Sequence, residues 1–294
     1  MSCNYWESSQ YKYWLFKNLK NSKSYQEDLE LISVQDLNLI HIYFAEWKRL
    51  RLRQKIIASA TTYFKRFYYR NSFRFTEPFL VATTSMYIAC KVEEFPHHIT
   101  TVVNESMHVL LDSSPSFRLP YDACDVCEFE LILLEELNCN TLIHHPYHPL
   151  QKYLVELNLS LEQKKTAWYI TNDTYKTPLI LLHAPHMIAL AALMMSCQYH
   201  HQEDVKSSPL NRPNNNDEDQ GIEFNEEFEF DKVDQPQVVE EAFSIENWFS
   251  NLNVDLEEIA DIIQQIIHMY FIWTNKYQDS KALTLLRKLH TGLP

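Results

Sequence analysis

Only two glycines occur in 294 residues, Gly221 and Gly292. A dinucleotide-binding turn of the GxGxxG kind, or a phosphate-cradling P-loop, needs several, both for tight turns and for close approach of backbone to phosphate. A GxSxG nucleophile elbow needs them as well. Neither turn nor elbow can be built from this chain. Two-residue hairpins and bulges also favour glycine, which argues against an all-β fold. The chain therefore reads as all-α. It is long enough for one large or two ordinary domains. With 46% apolar and 13% aromatic residues it can fill their cores.

Charge is unevenly placed. The formal net charge is -13, but residues 203–241 alone hold thirteen acids and three bases. Residues 48–74 hold nine Lys/Arg and no acid. The acidic balance argues against nucleic acid, while one stretch is locally basic. That stretch reads three ways: a phosphate contact, the polar face of an amphipathic helix, or a partner surface in which Arg66, Phe67, Tyr68, Tyr69 and Arg70 interleave. The six cysteines show no framework spacing, and no cationic segment precedes an apolar one near the start. A reducing, intracellular setting is the expectation. The longest apolar run, residues 178–199, is broken by His183, Pro185 and His186 and suits a buried helix rather than a membrane span.

Helical periodicity then sets the organisation. NYWESSQYKYWLF carries aromatics at helical spacing and reads as a short helix packed onto the body. Ser33 and Asp36 stand three apart before an apolar-periodic run, as an N-cap pair does. RQKIIASATTYFKRFYYRNS follows with a broad apolar stripe. EPFLVATTSMYIACKVEE has Thr76 as a candidate cap and Pro78 in the first turn. Its small residues Ala82, Ser85, Ala89 and Cys90 place it at the centre of a bundle. Helices over about 99–111 and 121–138 complete a unit of five.

The pattern then restarts. HHPYHPLQKYLVELN and SLEQKKTAWYITNDTY give two helices, the second with Ser160 and Gln163 at capping-box spacing. APHMIALAALMMSC aligns with EPFLVATTSMYIAC without a gap, pairing Pro78 with Pro185, Ala82 with Ala189 and Cys90 with Cys197. Two copies of one five-helix unit follow from that offset. The spans are a lead-in over 1–35, a first unit over 36–142 and a second over 143–290. The second unit is interrupted by an acidic, Asn/Pro-rich insertion at about 202–241, read as disordered. FSIENWFSNLNVDLEEIADIIQQIIHMYFIWTNKY resumes the fold, with Asp255 and Glu258 at cap spacing.

Chemical candidates are few. Cys124 and Cys127 form a CxxC, but it lies inside a predicted helix without a second pair, which favours packing over redox or zinc chemistry. His144 and His148 have i, i+4 spacing with Pro146 between them, and no acidic partner is placed for hydrolysis. Glu93–Glu94 and Glu135–Glu136 read as solvated helix surface. No catalytic residue, metal ligand set or cofactor is expected. Ser208-Pro209 has the form of a proline-directed phosphorylation site or a plain loop.

Taken together, YFKRFYYRNS, CKVEEF, HHPYHPLQKYL, AWYITNDTYKT and YWESSQY carry a resemblance. The chain resembles the cyclins, and among them the fungal-type cyclins of the RNA polymerase II Mediator kinase module, over about residues 4–290. The resemblance implies tandem five-helix cyclin boxes and a regulatory subunit rather than an enzyme. It implies a cyclin-dependent kinase of that module as partner, together with other module subunits, in the nucleus. It implies no membrane attachment and no direct nucleic-acid binding. By motif match, Lys91 at the end of the third helix and Glu130 in the fifth would meet the kinase. Arg53 matches an arginine that opens the helix starting the box. Glu94, Phe95 and Leu80 would add contacts. Gln54 and Lys55 stand where cell-cycle cyclins carry an apolar substrate-docking patch, so the groove between the repeats is the better site for a further protein. The competing reading is a general-transcription-factor cyclin fold, or a scaffold, that binds DNA or polymerase without activating a kinase.

Overall fold

The computed structural model describes residues 4–45, 52–113, 121–206 and 245–291. No glycine lies among them, and no strand occurs among them either. The lead-in contains α1 (Ser9–Tyr13) and α2 (Lys23–Leu29). The first unit is α3 (Val34–Ala45), α4 (Gln54–Arg70), α5 (Pro78–Val92), α6 (Ile99–Ser113) and α7 (Ala123–Glu136). The second is α8 (Tyr147–Glu156), α9 (Leu161–Asp173), the single turn α10 (Leu179–Leu182), α11 (Pro185–Lys206), α12 (Ile245–Asn251) and α13 (Leu256–Lys276). A last helix, α14 (Asp279–Thr291), returns to the first unit, where Ala282, Leu283, Leu286 and Leu289 join its core.

The internal repeat is visible in space. α5 lies at the centre of the first unit against α4, α6 and α7; α11 lies at the centre of the second against α8, α9 and α13. Pro78 and Pro185 each begin their helix, where a missing N–H costs nothing. Ala82, Ala189, Cys90 and Cys197 are all buried, as small residues at a close helix crossing must be. Ser33, Ser160 and Asp255 cap their helices as spaced. α5 differs: Glu77 is its cap, accepting from the Leu80 N–H at 2.8 Å, while Thr76 bonds Tyr68 and Ser72 instead. α11 runs on to Lys206, past the expected start of the insertion; the rest of the insertion, with Ser208-Pro209, lies outside the described residues.

The helices end without glycine. α5 closes in a Schellman turn: Phe95 N–H bonds Cys90 C=O at 2.9 Å, Glu94 N–H bonds Lys91 C=O at 3.3 Å, and Glu94 takes φ 57°. α7 repeats the device with Asn138 at φ 50°, and Asn158 at φ 43° follows α8. Asparagine tolerates this left-handed conformation better than glutamate does.

Two cations of the basic stretch are not on the surface. Lys65 and Arg66 are buried, at 2% and 0% exposure. Lys65 donates to the carbonyls of Tyr175 and Thr177, and Arg66 to that of Asn140 at 2.8 Å. Burial holds the Lys65 ammonium down, at about 7. Trp14, fully buried, lies under both Arg66 and Arg70, and Phe16 stacks on Tyr69 at 3.7 Å. The interleaved aromatics and arginines therefore receive the chain's own lead-in. Lys48, Arg49 and Arg51 lie outside the described residues.

Three outcomes follow. Lys65→Met keeps the apolar stem but orphans two buried carbonyls, and chemical denaturation will show a loss of about 1–3 kcal/mol. Glu94→Gly relieves the left-handed strain at the end of α5 and, after the entropy of the added glycine, gains about 0.5–1 kcal/mol. Asp28 is buried, accepts from Ser72 Oγ at 2.6 Å and Phe73 N–H at 3.2 Å, and burial raises its carboxyl to about 6. A carboxyl raised on folding contributes stability that is fully present below its unfolded pKa and lost as pH rises through 6. The stability of Asp28→Asn relative to the parent will therefore rise by on the order of 2 kcal/mol between pH 4 and pH 7.5.

Candidate functional site

The opening feature of the site is the exposed end of α5. Lys91 sits in its last turn and projects toward α7, whose inward face is Val126, Phe129 and Leu133. That packing brings Glu130 alongside. Both carboxylate oxygens accept from Lys91 Nζ, at 2.7 and 2.8 Å. The ammonium also lies 4.2 Å from the Tyr87 ring centroid. Desolvation works against the lysine's charge, but Glu130 and Tyr87 outweigh it and the pKa ends above the ordinary lysine value. The pair remains open to solvent, with side-chain exposures of 41% and 18%.

The turn after α5 carries the next residues. Glu94 is exposed, and Phe95, 37% exposed, has the Arg53 guanidinium 5.5 Å from its ring centroid. Lys91, Glu130, Arg53, Glu94 and Phe95 thus form two contacting pairs and the turn that joins them. Leu80 is not part of this group. It lies eleven residues back along α5, roughly 16 Å away, half-buried against the first core. Arg53 does open a helix, but that helix, α4, is the second of its unit. The first helix is α3, so Gln54 and Lys55 are not the positions from which a substrate patch can be argued.

Glu93 is the residue that sequence reasoning missed. Its place in Glu93–Glu94 reads as solvated surface, but its side chain is 12% exposed and turned inward. It bonds Lys55 Nζ at 2.6 Å and accepts from Ser59 Oγ at 2.7 Å. Ser59 Oγ also lies 2.9 Å from His145 Nε2, and His145 Nδ1 lies 2.6 Å from Tyr175 Oη. No local pattern announces this network, because its members come from four separate segments. A serine, a histidine and an acid meet here, yet they cannot act as a nucleophilic triad. The acid bonds the serine rather than orienting the histidine. Ser59 is fully buried. Burial, with Lys55 and Arg66 adding, presses the imidazole down to about 3, so it stays neutral.

The CxxC reading also changes. Cys124 and Cys127 do lie within α7, but both are exposed rather than packed. Among the described residues no group of three His, Cys, Asp or Glu side chains is placed to hold a metal, and no described helix is long and apolar enough to cross a membrane.

Between the two units runs a groove of about 1200 Å³. Trp6, Arg53, Lys55, His145, Tyr147 and Trp168 are among its walls. Lys55 and His145 belong to the Glu93 network, so the groove and the end of α5 share side chains.

Residues 18–142 match the family Cyclin, N-terminal domain. Cyclin-C of Rattus norvegicus is 32% identical over an alignment covering 100% of this chain and 92% of that protein. The RNA polymerase II holoenzyme cyclin-like subunit of Aspergillus clavatus is 31% identical, covering 98% and 97%. Among solved structures, a chain of the CAK complex from Chaetomium thermophilum superposes with a TM-score of 0.62 at 17% identity, covering 97% of this chain and 88% of that one. A chain of the yeast TFIIK (Kin28/Ccl1/Tfb3) complex gives a TM-score of 0.54 at 21% identity, covering 68% and 91%. These two likenesses are of fold. The full-length identity to the curated relatives goes further: the chain belongs to the cyclin family, whose members are regulatory subunits of kinases and not enzymes themselves.

Proposed function

We propose that this cyclin binds and activates the cyclin-dependent kinase of the Mediator kinase module, and so regulates RNA polymerase II transcription in the nucleus. The observation that carries the reading is the solvent-facing Lys91–Glu130 pair. An ammonium has three N–H donors. Glu130 and Tyr87 hold it from within the chain, while its exposed side and the remaining lone pairs of the carboxylate face outward, toward another chain. Apolar side chains are also exposed on these two elements: Leu131 at 73% and Ile132 at 50% on α7, and Phe95 at 37% in the turn after α5. A fixed charged pair together with exposed apolar side chains suits a specific interface of roughly 1,600 Å².

Kinase activity requires the glutamate of the αC helix to reach the β3 lysine, and the position of αC controls that contact. A rigid surface that fits αC in its inward position binds that state better and shifts the population toward it. The cyclin thus contributes binding energy and no chemistry. The names of the relatives, a Cyclin-C and an RNA polymerase II holoenzyme cyclin-like subunit, support a transcriptional kinase as the partner. The inter-repeat groove, with its tryptophans and cations, suits a further subunit of the same module. Duplex binding, the competing reading, is the weaker one, because Lys65 and Arg66, two of the nine cations that motivate it, are buried in the core.

The test is a charge swap in the kinase complex. Lys91→Glu and Glu130→Lys each place like charges together and will weaken kinase binding and activation at least about tenfold. The free chain will stay folded, since an exposed pair contributes at most about 1 kcal/mol. The double variant restores the internal pair with its polarity reversed. If the pair faces the kinase, the double variant stays weak; full rescue of activation would make the pair merely structural and sink the reading.

A further inference from the structure

A second cavity, of about 450 Å³, shares no lining residue with the inter-repeat groove. It is enclosed by the lead-in, α3, the stretch before α10, and α13. Its floor is apolar: Ile42, Met269 and Ile272 are at most 4% exposed. The rim is of a different kind. Asn38, Gln264 and Gln265 present carboxamides, and Lys17 and Lys20 present ammonium groups. No hydrogen bond or ion pair engages the side chains of these five among the described residues. Lys176 also lines the cavity but is committed to Asp173 at 3.0 Å, and Asp261 is the lining's one acid. The available charge is therefore positive, on a chain whose formal charge is -13.

We propose that this cavity docks an acidic peptide segment of a partner protein, with one apolar side chain on the Ile42–Met269–Ile272 floor. A side-chain amide offers a donor beside an acceptor and so pairs with an extended peptide backbone. Lys17 and Lys20 pair with the flanking carboxylates, which gives specificity and speed of encounter. The concave shape and volume fit a single anchored side chain with its neighbours. A nucleic acid is a poorer fit: two lysines make no phosphate track, and the lining's rings are only the half-buried Tyr25 and the imidazole of His268.

The probe is a fluorescein-labelled peptide, EEFEFE, titrated into the full chain at about 0.1 M salt and followed by anisotropy. Saturable binding is expected. It should weaken about tenfold in Lys17→Glu/Lys20→Glu and about fivefold in Gln264→Ala/Gln265→Ala. Hexaglutamate, which lacks the anchor, should bind at least about tenfold more weakly. These are surface substitutions, and circular dichroism will confirm that the variants fold. Absence of saturable binding, indifference to both double variants, or equal binding of hexaglutamate each overturns the proposal. So does one further outcome. If a chain with the acids of residues 217–234 replaced by their amides binds the probe about tenfold more tightly, the chain's own acidic segment fills the cavity and no separate partner is needed.

Discussion

A buried ammonium holds the two units in register. Lys65 is on α4, in the first unit, and both carbonyls that receive it, on Tyr175 and Thr177, belong to the second. An unpaired charge in that position would cost several kcal/mol, so the lysine is tolerable only while both carbonyls are in place. One residue along, Arg66 does the same for the link between the units through the Asn140 carbonyl. α4 is thus buried on nearly every side: its apolar residues serve mainly the first core, Ala58 serves the second, and its cations fix the connections. The same tyrosine that receives Lys65 through its carbonyl meets His145 through its hydroxyl. From there the contacts run through Ser59 to Glu93, two residues from Lys91. The end of α5 that carries Lys91 is therefore tied to the seam between the units.

Scarcity of glycine shapes the same region. A helix that must turn sharply at its C-terminus usually places glycine in the left-handed position. Here α5 uses Glu94, and the strain falls beside the exposed pair. The turn aims Phe95 back toward Arg53 and leaves Glu93 facing inward. The three acids and bases of this terminus thus point in three directions: Lys91 to Glu130, Glu93 to Lys55, Glu94 to solvent.

What was legible in the sequence was what is local or repeated. The 107-residue offset between the Pro78 and Pro185 helices survived into space because one packing role demands proline at the start and small residues along one stripe. The caps at Ser33, Ser160 and Asp255 are set within four residues and were readable for that reason. Thr76 was not, because a competing glutamate one position later reached the N–H first. Other properties are decided by distant segments. Lys65 and Arg66 look like surface cations until the linkers that accept from them are placed. Cys124 and Cys127 lie on a helix whose buried stripe is Val126, Phe129 and Leu133, so the CxxC falls on the outer face. The last helix continues the second unit in sequence yet fills the first unit's core. The pairing of Lys91 with Glu130 came from family likeness; nothing in the spacing of residues 39 apart required it.

Activation without chemistry places a physical demand on such a surface. A partner helix is held in one position only by a face that does not yield, and each freely rotating side chain that must be ordered on binding weakens the contact. Lysine is among the costliest side chains to order. In this cyclin that ordering is already complete: Glu130 grips the ammonium with both oxygens and the Tyr87 ring lies beneath it. Glu130 is in turn carried on a helix whose first turn is closed by the reciprocal Asp122–Asp125 capping box. The exposed pair contributes little to folding, since surface ion pairs are weak. What it does instead is hold a fixed charge pattern at the exposed end of α5, at a position set by the buried seam.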